Sequence, residues 1–208
     1  MIRLHRPTAD EIQSRIANVD PAFGYGEVRA TADPAAIGAL ASRYVIDRRR
    51  FSLGAGRPLF EFARTALFTW RHFEIPWLEL QGVTRPVHEG QVVATLTRVL
   101  GLWFLNPCRV VYREDVADGM GAAVDKAAFA YGTVADHVAC GEERFTVRRD
   151  PATDEVDFEI LAFSRPALLL TRLGHPWMRR VQKRFAADAA AALARACGRG
   201  TKPRDAER

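Results

Sequence analysis

Between two aromatic, strand-like runs the chain reads FAYGTVADHVACGEERFTV, from Phe129 to Val147, and this stretch gathers Tyr131, Thr133, His137, Glu142, Glu143 and Arg144. Their chemistry is proton exchange and hydrogen bonding. His137 is of the residue type that titrates near neutrality and can act as acid or base, although a lone histidine at a hairpin tip is more often merely a solvated loop residue. Phe129, Tyr131 and Thr133 share one side of an extended strand by the two-residue period, which sets a phenol beside a hydroxyl on one wall. A tyrosine packed in a sheet also finds a partner for structural reasons alone. Glu142 and Glu143 are adjacent, so in a strand they point to opposite faces and cannot form an acid and base pair. If Phe145 and Val147 face inward, Glu143 does too, and a buried carboxylate needs a partner. Arg165, at the end of the next strand, is the expected cation, either fixing the hairpin or orienting a polar ligand group.

Other chemistries find less support. Cys108, Cys140 and Cys197 are widely spaced and odd in number, without a C-x-x-C pair, and the histidines at 5, 72, 88, 137 and 175 show no close ligand spacing. Neither a metal site nor a disulfide framework is indicated, and no cofactor is implied. Gly54 and Gly56 precede a helix, but FSLGAGRP lacks the lysine and hydroxyl of a phosphate loop and the third glycine of a dinucleotide fingerprint. The net charge is +5, with Lys and Arg spread along the chain and densest from Arg172 to Arg184. No recognition motif accompanies that charge, so nucleic acid is not the expected partner.

The elements that must position these residues follow from periodicity. Thr8-Ala-Asp-Glu11 has the form of a capping box and leads into Ile12, Ile16 and Val19 at helical spacing. Phe23 to Ala32 alternates weakly and is expected as a first strand. Asp33-Pro34 supplies a cap and a first-turn proline for a helix through Ile37, Leu40 and Tyr44. After the glycine break at 51–58, Leu59, Ala63, Leu67 and Trp70 form one helical face, which should end before Pro76. Six short runs rich in branched and aromatic residues then follow: 77–83, 91–97, 103–112, 127–134, 144–149 and 156–163. His175-Pro176 opens a long helix with Trp177, Val181, Phe185, Ala189 and Leu193 on one face. Residues 1–22 read as a helical extension, 23–197 as one domain and 198–208 as a frayed tail.

This order is α+β: one strand, two helices, six strands in a meander and a long C-terminal helix. It resembles the helix-grip folds of the START/SRPBCC superfamily, in which a curved antiparallel sheet of seven strands wraps the last helix. The motifs FAYGT, GEERF and AFSRP (Ala162 to Pro166) occur in that order, followed by Arg179, Arg180 and Gln182. Upstream stand Gly54, Gly56, Trp70, Gly90 and Cys108-Arg109-Val110. Together these resemble the uncharacterised bacterial and plant family called domain of unknown function nineteen-ninety, over residues 23–186. The resemblance implies the fold and no particular reaction. One departure bears on His137: the family usually has glycine before this histidine and proline after it, where this chain has Asp136 and Val138.

Three functional readings follow. In the first, the chain binds an apolar or aromatic small molecule between sheet and helix, with Trp103, Phe129, Tyr131, Thr133, Phe145, Phe158, Arg165 and Trp177 as candidate lining residues. The aromatic residues can equally fill the core. In the second, the scaffold is an enzyme of cyclase, dehydratase or hydrolase type using Tyr131, His137 or Glu143, which requires two titratable groups to converge inside. In the third, the basic helix start is an interaction surface. The opening MIRLHRPTADEIQSRIANV carries polar and acidic residues where a signal peptide needs an apolar run. The longest apolar run, Val99 to Leu105, is too short to span a bilayer. A cytoplasmic protein is expected.

Overall fold

The computed structural model of the chain describes residues 1–83, 86–116, 124–134, 137, 139–166, 175–198 and 204–205, the side chains of Pro166, His175 to Arg179 and Arg204 to Asp205 excepted. In chain order the elements are β1 (Ile2–Arg3), α1 (Ala9–Ala17), a 3-10 turn (Ala30–Ala32), α2 (Pro34–Leu40), β2 (Val45–Ala55), α3 (Arg57–Phe68), a second 3-10 turn (Arg71–Phe73), β3 (Leu78–Gln81), β4 (Val92–Val99), β5 (Leu102–Val116), β6 (Asp125–Thr133), β7 (Ala139–Arg149), β8 (Glu155–Pro166), α4 (His175–Ala196) and β9 (Arg204–Asp205). The strands form one antiparallel sheet in the order β3-β4-β5-β6-β7-β8-β2-β9, with β1 paired to β5. The long first strand therefore closes beside the last strand of the meander, and the curved sheet grips the C-terminal helix. This is the helix-grip fold.

Thr8 caps α1 in a complete capping box with Glu11, and Asp33 caps α2 through the backbone N–H of Ala35. The six runs of the meander form strands where they are expected, and α4 begins at His175. The first long strand differs: it is Val45–Ala55, not Phe23–Ala32. Of the latter run only Phe23 makes a bridge, to Val134, and Arg29 turns left-handed into a 3-10 turn. Helix α2 ends at Leu40, before Tyr44. The strand VIDRRRFSLGA is hidden because its three consecutive arginines break the two-residue alternation of apolar side chains. Arg48 and Arg50 are instead taken up by a buried carboxylate, Glu159, at 3.0 and 3.1 Å.

The sheet packs on both faces. The inner face lies under α3 and α4, where Phe129, Phe145, Val147 and Phe158 meet Phe60, Ala63 and Leu67 from α3 and Ala189, Ala190 and Leu193 from α4. The alanine-rich stretch of α4 matters here, since small side chains let a helix approach a sheet already crowded with rings. Each such phenylalanine contributes about 1.5–3 kcal/mol by leaving water. The outer face carries α1, through Ile12 on Ala94, Leu96 and Leu105, and the segment from Phe23 to Tyr44, through Tyr25, Leu40 and Tyr44 around Phe163.

Candidate functional site

Ladder register decides which side chains can meet. Phe129 pairs with Phe145 and Tyr131 with Glu143 across β6 and β7, while Phe145 pairs with Ile160 and Val147 with Phe158 across β7 and β8. Phe129, Tyr131, Phe145 and Phe158 therefore share the inner face, and Glu142, Arg144, Glu159, Phe163 and Arg165 share the outer one.

On the inner face the Tyr131 hydroxyl donates to Glu143 Oε2 at 2.7 Å. Both residues are half-buried, although their neighbours Cys108, Phe145 and Phe73 are buried. Phe73 and Phe145 flank the phenol, with ring centroids 6.1 and 5.4 Å away, and Phe185 of α4 lies 5.4 Å from Phe73. Burial pushes the Glu143 carboxyl up to about 7; the Tyr131 hydrogen bond opposes that shift and the charge of Asp47 adds to it. Burial and the Glu143 charge likewise hold the Tyr131 phenol and the Cys108 thiol well above their usual ranges. Thus a carboxyl that changes charge near neutrality sits beside a phenol that keeps its proton. Thr133 Oγ1 accepts from the Gly141 backbone N–H at 3.1 Å, so its hydroxyl ties β6 to β7. At the same end of the face, Gln182 of α4 reaches Ser164 of β8 at 3.4 Å.

The outer face holds a different device. Glu142 is buried and accepts hydrogen bonds from Tyr25 Oη (2.9 Å), Arg29 N (2.9 Å), Thr31 N (3.0 Å) and Thr31 Oγ1. Arg144 donates to Thr31 O at 2.6 Å and to Glu159 Oε1 at 2.9 Å. The two carboxylates are satisfied locally, while Arg144 Nε is buried without a hydrogen-bond partner, and the result is to pin residues 25–31 onto the sheet. Gly132 makes room for this clamp: a Cβ there would lie 1.9 Å from Tyr25 Oη. The residues of FAYGT and GEERF thus alternate between the two faces, one set serving the inner pair and the other the outer clamp.

The expected Glu143–Arg165 bridge does not form. Arg165 pairs with Cys140 across the ladder and faces outward, where its guanidinium lies 5.0 Å from the Tyr44 ring. Trp103 is also an outer-face residue, packed against the cluster of Ile12, Ala94, Leu96 and Leu105 and flanked by Arg6 and Arg98. Phe129, Tyr131, Thr133, Phe145 and Phe158 do gather on the inner face, while the Trp177 side chain lies outside the described residues. His137 Nδ1 lies 3.0 Å from the backbone N and 2.9 Å from the backbone O of Ala139, within its own loop, and burial pushes its pKa down to about 4. Asp136 and Val138 lie outside the described residues.

Sequence reasoning missed two inner-face features. Cys108, opposite Thr133 in the ladder, borders the Glu143 carboxyl. His72 is wholly buried among Trp70, Phe73, Phe129, Phe145 and Phe158, with no hydrogen-bond partner for either ring nitrogen, and burial pushes its pKa down to about 3. Trp70, left-handed at φ 63°, follows the end of α3 and begins the turn that inserts His72 and Phe73 into the core. The conspicuous signal was the tight aromatic sequence WRHF. Among the described residues no group of three or more His, Cys, Asp and Glu side chains is arranged to hold a metal ion, and no helix is long and apolar enough to cross a membrane.

Comparison with known proteins agrees with this architecture. The chain is 35% identical over 163 residues to a UPF0548 protein of Dictyostelium discoideum, covering 76% of this chain and 74% of that one. It is 33% identical over 152 residues to a UPF0548 protein of Arabidopsis thaliana, covering 72% of each. Among solved structures, a hypothetical protein from Helicobacter pylori superposes with a TM-score of 0.51 at 12% identity, over 74% of this chain and 86% of the other, a likeness of fold alone. A family profile described as a domain of unknown function matches residues 24–192, and the chain belongs to that family, DUF1990.

Proposed function

We propose that this protein binds an apolar or aromatic small molecule between the inner face of the sheet and α4, with Tyr131 and Glu143 as its polar anchor. The observation that carries the reading is a contrast on one face. Phe129, Phe145 and Phe158 are sealed completely, whereas Tyr131 and Glu143 beside them stay partly open to solvent and form a 2.7 Å hydrogen bond in an otherwise apolar setting. A binding site of this class needs apolar walls and a few convergent polar groups. The apolar surroundings of the pair are Phe73, Phe145 and Phe185, themselves buried, with the Cys108 thiol as a small, weakly polar neighbour. The free cysteines support a cytoplasmic setting.

A second reading, an enzyme on the same scaffold, draws on the Glu143 carboxyl itself. Its pKa near 7 suits proton transfer at neutral pH, and Tyr131 is the second titratable group that such a mechanism requires. His137, bonded within its loop, has no part in this pair.

Native mass spectrometry of protein purified from its own host, followed by solvent extraction, tests the binding reading. A stoichiometric apolar compound that is lost from a Tyr131→Ala variant is the expected result. Ligand-free protein, with no adduct regained on incubation with a host extract, would overturn it.

A further inference from the structure

We infer that the ligand presents a hydrogen-bond-donating cation, a protonated amine, to Glu143; this rests on the binding reading above. The inner face carries acidic groups, Glu143 and Asp47, with Arg49 two residues beyond Asp47 on the same side of β2. Asp47, on β2, pairs with Ala162, which in turn pairs with Glu143, so the two carboxylates lie in one row across β7, β8 and β2. Among the described residues no Lys, Arg or His forms an ion pair with Glu143, and its hydrogen-bond partner is an uncharged phenol.

Among the described residues, three basic side chains near it do not neutralise it. Arg144, next in sequence, is held on the outer face by Thr31 and Glu159, and Arg165 is held there against Tyr44. His72, behind Phe73 and Phe145, has no hydrogen-bond partner and stays neutral. A carboxylate half out of water with one neutral donor retains acceptor capacity for more, since an ionised carboxylate has about four lone-pair sites.

The surrounding rings favour the same ligand class. Tyr131, which bonds the acid, stands in ring contact with Phe73 and Phe145, and Phe185 meets both of these; a cation is the charge that rings attract. An anionic group would instead meet the like charge of Glu143. An amine on an apolar body therefore matches both the charge and the walls.

The test uses three probes with one skeleton: phenylbutylamine, phenylbutanol and phenylbutyrate, titrated calorimetrically into the full chain at a pH above the Glu143 transition. The amine is expected to bind at least about tenfold more tightly than the alcohol, as one charge-assisted hydrogen bond allows. The acid should bind most weakly, and Glu143→Gln should erase the preference for the amine over the alcohol. If the alcohol matches the amine, or the acid binds best, the inference is overturned while the binding reading stands. If none of the three binds, the binding reading falls and takes the inference with it. The wild-type series decides the matter even if Glu143→Gln does not fold.

Discussion

Glu142 and Glu143 are neighbours in sequence but occupy opposite faces of one sheet: Glu142 accepts four hydrogen bonds in the outer clamp, and Glu143 accepts one from Tyr131 on the inner face. One strand thus serves structure with one carboxylate and leaves the next with a single neutral donor.

The same substitution at the two positions should have unequal cost. Glu142→Gln places an amide N–H₂ where Thr31 or Tyr25 donates, leaving buried donors unmatched, and should destabilise the protein by about 3 kcal/mol. Glu143→Gln keeps the Tyr131 hydrogen bond and removes a charge that burial disfavours, so its effect should stay within about 1 kcal/mol. Urea unfolding at neutral pH measures both. Equal losses would mean that Glu143 is also a structural carboxylate.

The Glu143 carboxyl gives a pH signature. Its folded pKa of about 7 lies above the unfolded value of about 4.3, so the folded state holds a proton that the unfolded state releases between them. Its contribution to stability is full below about 4.3 and is lost as pH rises through about 7. The groups facing it are Tyr131 from β6, Cys108 from β5 and Asp47 from β2, and the first two keep their protons throughout this window. Subtracting the Glu143→Gln stability profile from that of wild type should isolate a decline over this window. A flat difference would remove the raised pKa from the account.

His72 offers a test of the core. Replacing it by Phe removes two unpartnered nitrogens from an aromatic cage and should stabilise the fold by about 1 kcal/mol at neutral pH. Because its folded pKa of about 3 lies below the unfolded value of about 6.5, wild type should lose stability as pH falls between them, and His72→Phe should lose less. Chemical denaturation across that range measures it. A loss of more than about 2 kcal/mol on substitution would show that the imidazole has a polar partner.

The meander and the capping of α1 and α2 were legible because local chemistry and tertiary structure agree there: Thr8 with Glu11, Asp33 with Pro34, and glycine or proline between β-rich runs. The first long strand was not. Its arginines are accommodated by Glu159, more than a hundred residues away, and the decoy at Phe23–Ala32 is held out of the sheet by Glu142, equally remote. The facing of Glu142 and Glu143 followed from strand alternation alone. The fate of Arg165 did not, because one residue of register moves a side chain to the other face, and that register is set by pairing with β7. His72 was hidden for a related reason: its burial depends on a left-handed turn at Trp70 that periodicity does not report.

The most direct test of binding on the inner face uses the four tyrosines of the chain. Tyr25 and Tyr44 pack around Phe163 and Tyr112 bonds to Thr31, all on the outer face, whereas Tyr131 stands on the inner one. With ring-labelled tyrosine, titration with the neutral probe N-phenylnaphthylamine should shift the Tyr131 resonance in an NMR spectrum and leave the other three in place. Saturable binding that moves Tyr25, Tyr44 or Tyr112 and spares Tyr131 would contradict the account.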